Sequence, residues 1–260
     1  MIKTYRTNRP ARCFGFKPHR AGFSFHPADF ISIPRKRRKN MKISEIKSEL
    51  LSTLKPYVSS QGFKVNKTQF CLKRDGENNE CQFSFDYNSW GDEIHIFPYV
   101  QIRNKKIHSI CETCDFHLNY TAFINLLVLK KIYDGTFTED TKWKMQYDRQ
   151  DRFVIFDNSD MEKAKAELIK LLPMGLKYFH DHDDIYAIDK MYNTPPLNKQ
   201  NPNSSGFDTQ CVIGLISAKL AHNGNYEQIS SLYSSLIQSE DVLQDTRNKF
   251  ERIKNLIETL

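Results

Sequence analysis

The residues best suited to chemistry in this sequence form two clusters. The first is His108-x2-Cys111-x2-Cys114-x2-His117. Thiolates and imidazoles are zinc ligands, and a Cys-x2-Cys pair lets two sulfurs grip one ion. The uniform spacing argues against one site. On a helix the four side chains fan over half the circumference, and zinc patterns separate their two ligand pairs by a longer stretch. The competing reading is a strand-to-helix junction with two partly buried thiols.

The second cluster is His180-Asp181-His182-Asp183-Asp184, which opens like the metallo-β-lactamase motif and nominates His180, His182 and Asp184 as ligands. The motif requires His next and has Ile185; it should follow a strand and here follows a helical pattern. Context and partner residues must agree with a motif before it carries chemistry. A charged helix end or solvated turn is the simpler reading of the segment. No P-loop, G-x-S-x-G or G-x-G-x-x-G is present. No catalytic residue and no cofactor is therefore expected. A metal-dependent or hydrolytic enzyme built on the two clusters is the alternative to a non-enzymatic protein. Tyr87, Trp90 and Asp92 surround a turn and are candidates for the rim of a binding surface, against packing on their own sheet.

Charge limits the partners. Residues 1–40 hold eleven Lys and Arg and one acid, Asp29, a net of +10; the rest hold 27 bases and 30 acids, a net of −3. The basic balance is a property of the first segment, so nucleic-acid binding is expected only if that segment acts. The segment has no steady period, is broken by Pro10, Pro18, Pro27 and Pro34, and ends in Arg35-Lys36-Arg37-Arg38-Lys39. It reads as a disordered basic tail, and Met41-Lys42-Ile43-Ser44-Glu45 reads as the native start behind an over-extended gene start. No apolar run approaches the length of a membrane span. The six cysteines lack a disulfide-framework spacing. A cytoplasmic protein with reduced thiols is the expectation.

The elements that must position these residues follow from apolar periods. Ile46, Leu50, Leu54 and Val58 predict a helix over 44–59, capped by Ser44 and kinked or ended at Pro56. Phe70 and Leu72, then Cys81, Phe83, Phe85 and Tyr87, then Ile94, Ile96, Val100 and Ile102, then Ile107 and Ile110, predict an antiparallel meander. Pro98 predicts an edge or a bulge in it. A helix is expected over 121–133 and strands at Trp143, Met145 and Tyr147 and at 153–156, the latter central from its continuous apolar run. Asp160 is expected to cap a helix that Pro173 and Gly175 interrupt. Residues 195–206 read as a loop. Helices follow around Val212, Ile216 and Leu220, around Tyr226 to Leu236 as an αα-hairpin, and around Phe250, Ile253, Ile257 and Leu260. The order predicts an α+β protein with a sheet region over 41–158 and a helical region over 159–260.

Leu54-Lys55-Pro56, Gly62-Phe63-Lys64, Phe70, Lys73-Arg74 and the Phe-rich stretch 81–86 resemble a family of uncharacterised bacterial sheet-plus-helix proteins, some encoded near toxin–immunity or defence genes. The resemblance spans roughly 44–190 and rests on core and turn residues. It implies a bacterial cytoplasmic setting and supplies no catalytic residue. The expected function is non-enzymatic: an accessory protein, immunity-like, that binds a protein partner.

Overall fold

The first helix, α1 (Ile43–Val58), buries Ile46, Leu50, Leu51, Leu54 and Val58 along one stripe. Glu45 accepts a hydrogen bond from the Lys42 backbone N–H at 3.2 Å, so the cap is Lys42, two residues before the expected Ser44. Pro56 lies in its last turns and does not end it. The computed structural model describes residues 42–239 and 242–260, which belong to one compact unit. The basic segment 1–40 and the start at Met41 lie outside the described residues.

The strands are β1 (Lys64–Asn66), β2 (Cys71–Asp75), β3 (Asn79–Trp90), β4 (Glu93–Asn104), β5 (Ala122–Asn125) and β6 (Phe153–Ile155). They form an antiparallel sheet in the order β1-β2-β3-β4-β5, with β6 also on β4. The fold is α+β. The long β3–β4 hairpin turns at Gly91-Asp92, where Gly91 takes φ 60°, the sign that tight two-residue hairpins require. β5 pairs with 99–102 of β4 and β6 with 94–96, on one side of the strand. Phe97 and Pro98 fall between them and have no strand partner there, which accommodates the missing N–H of Pro98 inside a long strand. Thus β6 lies at an edge, not in the centre.

Three further expectations are corrected. Ile107 and Ile110 belong to α2 (Lys105–Thr113), whose first turn is capped by Asn104 accepting from the Ile107 N–H at 3.0 Å. The expected helix 121–133 is split into β5 and α3 (Leu126–Tyr133), because the Asn125 side chain caps the helix through the Leu127 N–H. Trp143, Met145 and Tyr147 lie on α4 (Glu139–Tyr147), capped by Thr138 and carrying Glu139 and Asp140 in its first turn.

Packing on one sheet face comes from α1, α3 and α5 (Asn158–Asp181). A row of paired residues, Val65, Leu72, Phe83, Val100 and Ile124, crosses five strands on that face. Phe83 meets Phe63 and Phe179 with ring centroids 5.4 and 5.0 Å away. Asp157, not Asp160, caps α5, and the helix runs unbroken through Pro173 and Gly175. Tertiary contact explains the continuity. A Cβ at Gly175 would stand 2.6 Å from Phe83 Cε1 and 3.0 Å from Val100 Cγ1, so the glycine lets the helix press on the sheet.

A second core surrounds α7 (Phe207–Leu220), which is buried nearly all round. It is enclosed by α2, α6 (Ile185–Asn193), α8 (Tyr226–Ile237) and α9 (Gln244–Ile257). Packing therefore groups α5 with the sheet and α2 with the C-terminal helices. The Tyr192 hydroxyl joins the two cores, donating to the Thr121 and Asn203 carbonyls at 2.6 and 3.0 Å. Asp208 lies in the first turn of α7 rather than at its cap, and Leu260 is exposed beyond α9. No helix among the described residues is long and apolar enough to cross a membrane.

Candidate functional site

The His/Cys cluster owes its spacing to packing. Ile107, Ile110, Cys111 and Cys114 are buried at i, i+3, i+4 and i+7, the period of one helix face. Burial pushes the Cys111 thiol up to about 12 and also raises Cys114, so both sulfurs hold their protons at neutral pH. His108 accepts from Arg103 Nε through Nδ1 at 2.9 Å, while burial and then the Arg103 charge depress its pKa to about 4. His117 is exposed. At the end of α5, His180 is exposed, whereas His182 Nδ1 sits 2.7 Å from the Tyr178 carbonyl and its ring lies against Tyr178. Asp184 caps α6, accepting from the Ala187 N–H at 2.7 Å. Among the described residues no three His, Cys, Asp or Glu side chains are gathered as a metal site.

The turn residues are also separated. Tyr87 faces the α1 side, with Lys47 Nζ 4.6 Å from its ring centre. Trp90 projects from the opposite face and Asp92 lies in the turn itself. A groove of about 330 Å³ adjoins Asp92, between the start of α1, the hairpin turn and the end of β6, with Ile43, Ile94 and Ile155 in its wall.

Trp90 is held firmly at its base. Its ring lies 5.3 Å from that of His95, and the Arg149 guanidinium is 5.9 Å from its centre. Glu93 Oε2 accepts from His95 Nε2 at 2.8 Å and from Arg149 Nη1 at 2.5 Å. Arg149 takes left-handed backbone (φ 60°) just after α4, so the hairpin tip and the C-terminal end of α4 are neighbours. Met145 is the buried residue of that helix; Trp143 and Tyr147, one turn apart, are 72% and 89% exposed. Trp90 is 54% exposed. The chain has two tryptophans, and both are at the surface in this region.

The sheet face away from α1 and α5 went unnoticed in the sequence. It carries the row Asn66, Cys71, Ser84, Tyr99 and Asn125, one residue along from the apolar row. Beside it, Gln82 Nε2 donates to Gln101 Oε1 at 2.7 Å and to the Tyr120 hydroxyl at 3.4 Å. Cys71 is fully buried and pushed up to about 11 by desolvation. The signal available in sequence was the aromatic pair Phe97 and Tyr99 at positions that alternation assigns to solvent.

No family model, curated protein or solved structure matches the chain.

Proposed function

We propose that this chain is a non-enzymatic accessory protein that binds a protein partner through the surface formed by the hairpin tip and α4. The observation that carries the reading is the exposure of Trp143 and Tyr147 one turn apart on α4 and of Trp90 at the hairpin tip, to which the end of α4 is tied by the Arg149–Glu93 ion pair. Trp and Tyr are prominent among the few residues that supply most of the energy of protein interfaces. Burying such a ring and its neighbour supplies about 2 kcal/mol or more each at an interface centre. The separation of the His, Cys and Asp candidates onto a buried helix face, exposed positions and a helix cap supports this reading over the metal-dependent alternative. The specific role we propose is immunity-like, in a bacterial cytoplasm, as the family resemblance implies.

The test compares the tagged full chain with the Trp143→Ala/Tyr147→Ala variant in a pull-down from native-host lysate read by mass spectrometry. One dominant stoichiometric partner is expected, recovered at least about tenfold less by the variant. Surface substitutions of this kind leave stability within about 0.5 kcal/mol, so melting temperature serves as the control. Equal recovery with the variant, or no partner in repeated captures, overturns the reading.

A further inference from the structure

We propose that the polar face of the sheet binds a small organic cation, an alkylammonium or guanidinium group. The Asp86 carboxylate is its counter-ion, and the Tyr99, Phe123 and Tyr120 rings are its walls. Strand register assembles the site. Asp86 pairs across the hairpin with Phe97, and Ser84 with Tyr99. Phe123 pairs with Gln101 on the next strand, and its ring centre is 5.8 Å from that of Tyr99. Directly opposed side chains start about 5 Å apart and diagonal ones about 7–8 Å apart, within reach of one small ligand. Tyr120 enters from the segment before β5 and is tied to Gln82.

Three observations select a cation. First, the other acids on this face are matched: Glu80 with Lys73 at 2.7 Å, Glu93 with Arg149, and Asp75 with Lys105 at 2.8 Å. Among the described residues Asp86, open to solvent at its tip, has no ion-pair or hydrogen-bond contact, while its base is desolvated by the neighbouring rings and Lys47 acts on it only through its field. Second, Ser84 is 8% exposed, and its buried hydroxyl oxygen has no hydrogen-bond partner, although buried polar groups are nearly always satisfied. Third, the walls are half-buried aromatic rings, and Tyr99 and Tyr120 are held as neutral phenols, first by burial and further by the Asp86 charge on both. A carboxylate with neutral hydroxyls and ring faces suits a cation bearing N–H donors. The same face treats its own arginine in this manner: the Arg152 guanidinium lies 4.9 Å from the centre of Phe97, the cross-strand neighbour of Asp86.

The experiment is calorimetric titration of the full chain with agmatine, n-butylammonium and, as an uncharged control of similar size, n-butylurea. One-to-one binding of at least one cation and none of the urea is expected. Asp86→Asn should weaken that binding at least about tenfold and Ser84→Ala about threefold, as loss of a charged and a neutral hydrogen-bond partner respectively requires. An unchanged or higher melting temperature of Asp86→Asn shows that the variant is folded. Absence of binding by both cations, equal binding of the urea, or equal affinity of Asp86→Asn overturns the proposal. Asp86-dependent binding of a tetralysine peptide without binding of the free amines also overturns it, and assigns the face to a polypeptide side chain.

Discussion

Two rows of residues cross the same strands one position apart and meet opposite fates. Val65, Leu72, Phe83, Val100 and Ile124 interlock with α3 and α5 in a dry core. Asn66, Cys71, Ser84, Tyr99 and Asn125 form the other face, where Cys71 and Ser84 are also buried but with polar company. A sheet's period of two makes the contrast unavoidable, since each residue chooses the face its neighbour does not. The difference teaches that burial alone does not mark a core. On the first face buried groups are satisfied by contact with one another. On the second, a buried hydroxyl has no partner, and the exposed carboxylate beside it has no ion pair.

The contrast can be broken most severely from the apolar side. Phe83→Ala should cost about 4 kcal/mol, because it empties the centre of the Phe63–Phe83–Phe179 group; denaturant unfolding measures it. Gly175→Ala should cost about 2 kcal/mol, although alanine favours helices, because its Cβ would strike Phe83 and Val100. A stability gain in that variant would show that α5 has room to move away from the sheet.

The polar side should respond with the opposite sign. Burial raises the Asp86 pKa above 3.8, with Lys47 opposing it. The folded state therefore binds this proton more tightly than the unfolded chain does. As pH falls through the raised pKa toward 3.8, protonation of Asp86 adds stability, and above that window the ionised form detracts from it. Asp86→Asn should remove this contribution, leaving stability at neutral pH equal or higher and steepening the acid limb of the pH profile, because Asp86 no longer offsets the stability that the lowered carboxyls of Asp75, Asp181 and Glu258 lose in acid. A loss of stability at neutral pH in this variant would mean that the carboxylate is a structural anchor and the two faces are alike.

Long amphipathic elements were legible because their apolar residues repeat over several turns. The stripe Ile46, Leu50, Leu54 and Val58 names α1, and the alternation through Cys81, Phe83 and Phe85 names β3. Short elements were not. Trp143, Met145 and Tyr147 obey a period of two by chance of composition, and the deciding signals were the Thr138 cap and the acidic first turn. In α2 the helical stripe Ile107, Ile110, Cys111 and Cys114 was present, but two of its members are cysteines and drew a metal reading instead. The exposed Trp90 lay within reach of sequence reasoning, whereas its link to Arg149 spans 59 positions and depends on the α4 turn. The Asp86 site was hidden for a similar reason. Alternation tells which side of β3 faces the helices, but not that Tyr120 folds back over the other side.

Dividing the outer side of β4 between two short strands has a consequence for how copies of this molecule meet. An unpaired strand edge is a template on which a second chain can add and aggregation can begin. Here β4, twelve residues long, offers no such template, because β5 and β6 cover most of that side and a proline stands in the gap. The terminal strand β1 has only three residues, and β5 is met on its far side by the Asn203 carbonyl, which accepts from the Phe123 N–H at 3.1 Å. Growth of the sheet is therefore blocked along β4, and the open stretch that remains among the described residues is the end of β3, residues 85–90, beyond its last pair with β2.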